Sequence, residues 1–193
     1  PSTPQDVFNS YLNVFKDKIP TIIIEHRMLY KTKSRIRRLD NVPTVTKISS
    51  GKDITLCSIS HMTLEVQKVT EALEKRGIFC DHFSIVDHST LDTNIIFKSV
   101  NKTKKLLIID HGWLKCSIVH TISHLLRQKG FKGSIETLGY SESPCPTSQI
   151  LENHFYPTAT SILKAIFDLL KLSFSEFDKL PISEELINFR GPF

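Results

Sequence analysis

The sequence predicts an α/β fold: a three-layer αβα sandwich around a mixed, mostly parallel sheet. From residue 42 onward, runs of apolar and β-branched residues alternate with amphipathic stretches of about 10–14 residues, the spacing of crossover helices between parallel strands. Apolar residues make up 40% and charged residues 23% of the 193-residue chain. This composition is typical of a globular domain with a sizeable core and not of a disordered chain.

The first residues predict a helix followed by a strand. Thr3 suits an N-cap before Pro4, and apolar side chains recur at helical spacing as far as about Lys18. Pro20 ends this helix, and the β-branched run at residues 21–24 is predicted to form a buried strand.

A basic segment follows, with six arginines and lysines and no acidic residue between His26 and Leu39. The formal net charge is +5, but without these six residues the acidic side chains outnumber the basic ones. The basicity is therefore local, typical of a solvated linker and not of a nucleic-acid-binding domain. We expect a linker at residues 31–42, with a domain boundary there.

Strands and helices then alternate to residue 170. Strands at 45–49 and 54–59 flank a turn at Gly51, which predicts a hairpin and hence one antiparallel strand at a sheet edge. A helix over 63–76 is predicted to end at Gly77. The remaining patterns predict strands at 79–86, 105–110 and 134–138, helices at 91–100, 117–128 and 159–170, a loop at 139–147 and a short helix from Ser148.

Several classes of site are excluded by missing motifs. The sequence has no G-x-G-x-x-G or G-x-x-x-x-G-K-[ST] phosphate loop and no G-x-S-x-G nucleophile elbow. Its four cysteines form no C-x-x-C pair, so free thiols in a reducing cytoplasm are the simplest interpretation. No apolar run approaches the roughly 18 residues that span a bilayer. We expect a cytoplasmic protein that binds neither membrane nor nucleic acid.

Several histidines occupy positions where they could bind a metal or a ligand, but each position also fits an ordinary structural role. His120 and His124 have metal-ligand spacing on a predicted helix, yet the apolar stripe lies elsewhere, so we expect both to face solvent. Ligands of α/β sheets bind beyond the carboxyl ends of strands, where Asp–His pairs occur at 87–88 and 110–111. We interpret these pairs as caps and loop hydrogen bonds, and Trp113 as a core or interface residue.

Spaced segments point to a family. Residues 51–61 read as a strand with a Ser-His turn, residues 105–113 as a strand running through an acidic residue and His111 to Trp113, and residues 144–152 as a Pro-Cys-Pro closing loop. Together they resemble the C-terminal domain of the transketolase family, and most closely the β-subunit of thiamine-diphosphate-dependent 2-oxoacid dehydrogenases of the pyruvate dehydrogenase type. His111 replaces the first glycine of that family's acidic-Gly-Gly-Trp segment.

The resemblance implies a division of the chain. Residues 1–30 would be the tail end of a pyrimidine-binding domain, 31–42 a linker and 43–171 the transketolase C-terminal-like domain. Residues 172–193 form a tail outside the resemblance, and the apolar residues spaced among its charges predict that it lies on a partner subunit. The complete enzyme would use thiamine diphosphate and magnesium, with the activating glutamate before Pro1. We therefore expect a fragment that binds no cofactor and is inactive alone, and we assign it no catalytic, cofactor-binding or metal-ligating residue.

The role implied is to form a subunit interface and to dock a multienzyme complex. Expected partners are an α-type subunit or thiamine-diphosphate-binding domain, a second copy of the chain, and an acyltransferase core. Glu25, His26, His61 and His111 are candidates for the active-site rim, and Trp113 for an interface. Two alternatives stay open: a non-catalytic assembly module of the same fold, or the C-terminal part of a transketolase or deoxyxylulose-phosphate synthase, although Trp113 and the 144–146 segment favour the dehydrogenase type.

Overall fold

The computed structural model describes residues 1–39, 42–152 and 154–173. Their centre is a five-stranded sheet of order β1-β3-β2-β4-β5. The strands are β1 (Val45–Ser49), β2 (Ile54–Ile59), β3 (Cys80–Ile85), β4 (Lys105–Trp113) and β5 (Ser134–Tyr140). β2 to β5 run parallel, and β1 pairs antiparallel with β3 at one edge. The predicted mixed, mostly parallel sheet is confirmed.

Helices cover both faces of the sheet. They are α1 (Pro4–Asp17), α2 (Met62–Glu74), α3 (Asn94–Thr103), α4 (Ile118–Gln128), α5 (Gln149–Glu152) and α6 (Ala159–Leu170), with a 3₁₀ turn at Arg27–Lys31. α2 and α6 pack on one face, and α3 and α4 on the other. The predicted three-layer sandwich is therefore confirmed. No helix in the described part of the chain is long and apolar enough to cross a membrane.

Two cores result from the alternation of side chains along the strands. In β4, Leu107 and Ile109 face α2 and α6, whereas Leu106 and Ile108 face α3 and α4. All four are fully buried. A central parallel strand covered on both faces must be apolar throughout, which explains the uninterrupted run at this point in the sequence.

Several helix ends fall where the local chemistry predicts them. α6 has the predicted bounds and begins with a capping box between Thr158 and Ser161. Gly77 takes φ +80° just after α2, a conformation that favours glycine. α3 starts three residues later than predicted. Its N-cap, Thr93, makes no side-chain capping hydrogen bond, and the Asn94 N–H donates to the Asp92 carboxylate at 2.8 Å.

The predicted hairpin at Gly51 is wrong, because β3 lies between β1 and β2. The turn instead abuts the start of β3. The N–H groups of Lys52 and Asp53 donate to the Phe79 carbonyl at 3.0 and 3.1 Å. A Cβ on Gly51 would come within 2.2 Å of that same oxygen. The turn therefore crosses the start of β3 and connects β1, on one side of β3, to β2, on the other. β1 is the antiparallel edge strand of the sheet.

The buried strand predicted at residues 21–24 is also wrong. Ile22 and Ile24 are 89% and 80% exposed, and no described strand pairs with this segment. A lone extended segment has no ladder to satisfy its backbone groups, so β-propensity alone does not produce a strand.

The predicted domain limits stay predictions, although α1 contacts the sheet. Thr46 of β1 donates to Asp6 at 3.1 Å, and the hydroxyls of Ser2 and Ser84 lie 2.7 Å apart. Two linker residues and most of the predicted partner-binding tail, from 174 on, lie outside the described residues.

Candidate functional site

Three histidines from distant parts of the sequence meet at the carboxyl edge of the sheet. The rings of His26 and His61 stack with centroids 4.8 Å apart. His111 stands edge-on to His26 at 5.0 Å and lies 5.9 Å from His61. Three of the four candidate rim residues are thus neighbours.

Local backbone geometry sets the position of each ring. Ser60 adopts φ +53° after β2, and His61 becomes the N-cap of α2. His111 lies near the end of β4, where the pairing with β5 is irregular between Ile109 and Trp113. His26 precedes the 3₁₀ turn, and its Nδ1 accepts a hydrogen bond from the Met28 N–H at 3.4 Å.

Burial keeps these imidazoles neutral. His61 is 2% exposed, and neither ring nitrogen has a hydrogen-bond partner. Burial, with added repulsion from His26 and Lys68, lowers the pKa of His61 to about 4. Burial and the other two imidazoles lower the pKa of His111 to about 3, and burial lowers the pKa of His26. An uncompensated imidazolium is costly in such surroundings, so all three rings are uncharged at pH 7.

An aromatic wall encloses His111. Tyr156 stacks on its ring at 4.9 Å, and the Tyr140 hydroxyl lies 3.3 Å from its Nδ1. Phe155 joins Tyr140 to Trp113, whose ring centroid is 5.9 Å from that of Phe155. Trp113 remains 47% exposed, so the wall ends in an accessible apolar edge.

Glu25, the fourth candidate, lies beside a neighbouring cavity. An open cavity of about 380 Å³ between α1 and the 3₁₀ turn is lined by Glu25, His26 and Tyr30, among mostly apolar side chains. The negative charge of Glu25 raises the pKa of the Tyr11 phenol. His26 thus separates this cavity from the other two histidines.

The other predicted sites have structural roles. Asp87 accepts hydrogen bonds from the backbone and hydroxyl of Ser89, both at 2.7 Å. Asp110 accepts one from the Ser117 hydroxyl at 3.3 Å. His120 and His124 are exposed, as predicted. Among the described residues, no group of three or more histidines, cysteines or carboxylates is arranged to hold a metal ion.

A buried polar network near the histidines was not predicted. Ser58 lies 2.7 Å from His82 Nε2 and 2.9 Å from the Thr63 hydroxyl, which donates to Ser2 at 2.9 Å. Ser58 and Ser84 are register partners in adjacent strands. The available signal was the interruption of two apolar strands by polar residues, since buried polar groups need partners.

The chain is similar to known proteins in both its sequence and its fold. The family model for the transketolase C-terminal domain matches residues 44–162. The chain is 28% identical over 176 residues to the acetoin:2,6-dichlorophenolindophenol oxidoreductase subunit beta of Bacillus subtilis (strain 168), covering 88% of the chain and 52% of that protein.

Two further matches agree in the region covered. Identity is 22% over 172 residues with the pyruvate dehydrogenase E1 component subunit beta of Rickettsia felis, covering 86% of the chain and 53% of that protein. A solved split-gene transketolase, an inactive beta4 tetramer, superposes with a TM-score of 0.60 at 17% identity, covering 66% of the chain and 42% of that structure. The chain spans about half the length of the curated relatives it matches.

Proposed function

Because the chain belongs to the transketolase C-terminal domain family, we propose that it is the subunit-interface and complex-docking domain of a β-type subunit in a thiamine-diphosphate-dependent dehydrogenase. The substrate would be a 2-oxoacid or acetoin. The observation that carries this proposal is the similarity to β subunits of a pyruvate and an acetoin enzyme along more than four fifths of the chain.

The proposed contribution to the active site is a rim. Ligands of open α/β sheets bind beyond the carboxyl ends of the strands, where His61 and His111 lie. His26 stacks against them, and Glu25 is its neighbour in sequence. In this proposal the four side chains border the approach to a site held mainly elsewhere, and Trp113 contacts a partner subunit.

The described residues do not fit thiamine diphosphate with magnesium. A magnesium-bound diphosphate needs oxygen ligands gathered around the metal and donors for the phosphates. Among the described residues, no three histidines, cysteines or carboxylates are grouped to hold a metal ion, and the neutral imidazoles of His61 and His111 offer the phosphates no positive charge. We therefore place the cofactor on an α-type subunit or another domain, and we assign no reaction step to this chain.

Exposed apolar side chains support further partners. Phe15, Ile22 and Ile24 are 76–89% exposed, and Trp113 closes the aromatic wall at the surface. Large apolar side chains exposed to this extent are candidates for contact with partner proteins. Candidate partners are the α-type subunit, a second copy of the chain and an acyltransferase core. All four cysteines are free thiols, which supports a reducing cytoplasm.

Calorimetric titration tests the proposal that the cofactor binds to an α-type subunit or another domain and not to this chain. The chain is titrated with thiamine diphosphate and magnesium, first alone and then with an α-type subunit present. We expect no heat of binding for the chain alone and saturable binding when the partner is added. Binding by the chain alone would overturn the placement of the cofactor.

A second candidate is an assembly module that has the fold without contributing to chemistry. His111, which stands where the family has a glycine, favours this alternative because a bulky ring narrows the sheet edge. Turnover of the assembled complex separates the two. The test uses the complete β-type protein that carries this domain: if that protein associates with an α-type subunit but shows no cofactor-dependent turnover, the domain is an assembly module.

A further inference from the structure

Residues 1–39, here called the N-terminal segment, rest on the sheet through a small set of contacts. One set is polar: Ser2 meets Ser84 and Thr63, and Asp6 meets Thr46. At its other end, His26 stacks on His61 and stands edge-on to His111. The segment is therefore held on the sheet by two groups of contacts, the hydrogen bonds of Ser2 and Asp6 and the packing of the His26 ring against His61 and His111.

Among the residues that the structure describes, no carboxylate shifts the pKa of His61 or His111. The charges that act on His61 and His111 come from the neighbouring imidazoles and, for His61, from Lys68 of α2. Lys68 also pairs with Glu65 at 3.2 Å. The nearby carboxylates are engaged elsewhere, since Glu25 acts on Tyr11, and Asp110 acts on His88 and Tyr140. Two further kinds of titratable group lie nearby. The Pro1 amine lines the cavity beside His26, and burial lowers its pKa against the charges of Asp6 and Glu25. The phenols of Tyr140 and Tyr156 have raised pKa values and are uncharged at neutral pH.

Protonation of this cluster must favour an open arrangement. Two imidazolium groups with centroids 5–6 Å apart repel each other, and His61 is too deeply buried for water to screen it. Both nitrogens of His61 lack partners in the closed arrangement, whereas they would reach water in an open one.

We propose that His26, His61 and His111 form a pH-sensitive latch, which holds the N-terminal segment on the sheet at neutral pH and releases it on acidification. This goes beyond the proposed function, because it concerns a conformational equilibrium of the chain itself. It needs neither a cofactor nor a partner subunit.

The lowered pKa values determine that acidification favours the open arrangement. An exposed histidine titrates near 6.5, whereas His61 does so at about 4 and His111 at about 3 in the closed arrangement. Below about pH 6.5 and above the lowered pKa values, the open state binds more protons than the closed state. The closed state is therefore fully favoured above about pH 6.5, and its population decreases as the pH falls. Each pH unit in this window shifts the equilibrium toward the open state by up to about tenfold per imidazole.

Histidine-resolved NMR of the 193-residue chain between pH 7.5 and 4.5 tests the latch. We expect the ring signals of the three histidines and the backbone amide signals of residues 2–30 to change together, with one midpoint. His26→Phe and His61→Phe keep a flat ring but remove a titrating group, so the amide transition should move to lower pH or disappear. His26 is partly exposed, so its variant serves if the buried His61→Phe does not fold.

His124→Phe is the matched control, since His124 is exposed on α4 and takes no part in the ring contacts that join the three histidines. Its amide transition should match that of the unaltered chain. The latch would be refuted if the three rings titrate while the amides of residues 2–30 do not move. An amide transition that persists unchanged in both His26→Phe and His61→Phe would refute it equally.

Discussion

The buried carboxylate of Asp81 in β3 joins β1, at the edge of the sheet, to α3. Its side chain is 3% exposed, with Lys47 at 2.8 Å and Lys102 at 3.4 Å. Burial acts to raise the pKa of Asp81, but the hydrogen bonds and charges of Lys47, Ser99 and Lys102 outweigh it and hold the pKa below its usual value. The carboxylate therefore contributes stability above about pH 4, and this contribution is lost as the pH falls through the lowered pKa.

Replacing this carboxylate should measurably weaken the fold. We expect Asp81→Asn to lower the free energy of unfolding by about 1–3 kcal/mol, because two lysines lose a partner while remaining partly solvated. Urea denaturation at pH 7 measures the change. Asp17→Asn, at an exposed position at the end of α1, is the control and should stay within about 0.5 kcal/mol of the unaltered chain. Equal midpoints for the two variants would contradict this account of Asp81.

The proposed rim is also tested at the scale of side chains. In the complete enzyme, joint replacement of Glu25, His26, His61 and His111 by alanine should lower turnover, because the edge that borders the site loses its polar groups. Steady-state kinetics of the assembled complex measures this. His120→Ala with His124→Ala removes exposed imidazoles outside the cluster and serves as the control. Unchanged turnover of the fourfold variant would remove these residues from the rim.

At the scale of elements, two glycines illustrate different constraints. Gly51 lies against the backbone that enters β3, where an added Cβ would come within 2.2 Å of the Phe79 carbonyl oxygen. Gly77 takes φ +80° after α2 but has no heavy atom within 4 Å of an added Cβ. The first position is limited by space, and the second by backbone conformation alone.

These constraints predict different costs for the same substitution. Gly51→Ala should destabilise the fold by more than about 2 kcal/mol, since backbone atoms must move apart. Gly77→Ala should cost about 1–2 kcal/mol, the usual penalty for a left-handed conformation. Urea denaturation of both variants makes the comparison. A smaller loss for Gly51→Ala than for Gly77→Ala would show that the turn relaxes freely.

At the scale of the whole molecule, the N-terminal segment and the aromatic wall leave apolar side chains at the surface. Phe15, Ile22, Ile24 and Trp113 are each more than 40% exposed. The tail has a matching composition, with Phe174, Phe177, Leu180, Ile182, Leu186, Ile187 and Phe189 set among charged residues. We keep the prediction that the tail lies on a partner subunit and helps to cover such a surface.

Removing the tail should therefore weaken assembly and spare the fold. We expect deletion of residues 172–193 to lower the mass measured by light scattering with the partner subunit present, while the circular dichroism of the chain is retained. Trp113→Ala, which alters the surface within the folded domain, is the companion variant. An unchanged mass after the deletion would contradict a role for the tail in assembly.

Much of the fold and the family could be predicted from the sequence. The matching family model confirms the resemblance drawn from residues 51–61, 105–113 and 144–152. α2 and α6 form at the predicted stripes, and β4 at the predicted apolar run. These predictions succeed because the period of apolar residues reports which side chains are buried, and burial of those side chains is what stabilises helices and strands.

Which segments become neighbours was decided only by the tertiary structure. Sequence proximity suggested that β1 pairs with β2, yet packing inserted β3 between them. The sequence places His61 and His111 after strands, but the contacts of His26 with His61 and His111, and the wall around Tyr156, depend on strand order and on where the N-terminal segment rests. Local periodicity does not encode such non-local pairings, because they arise from the competition among many surfaces for burial in one core.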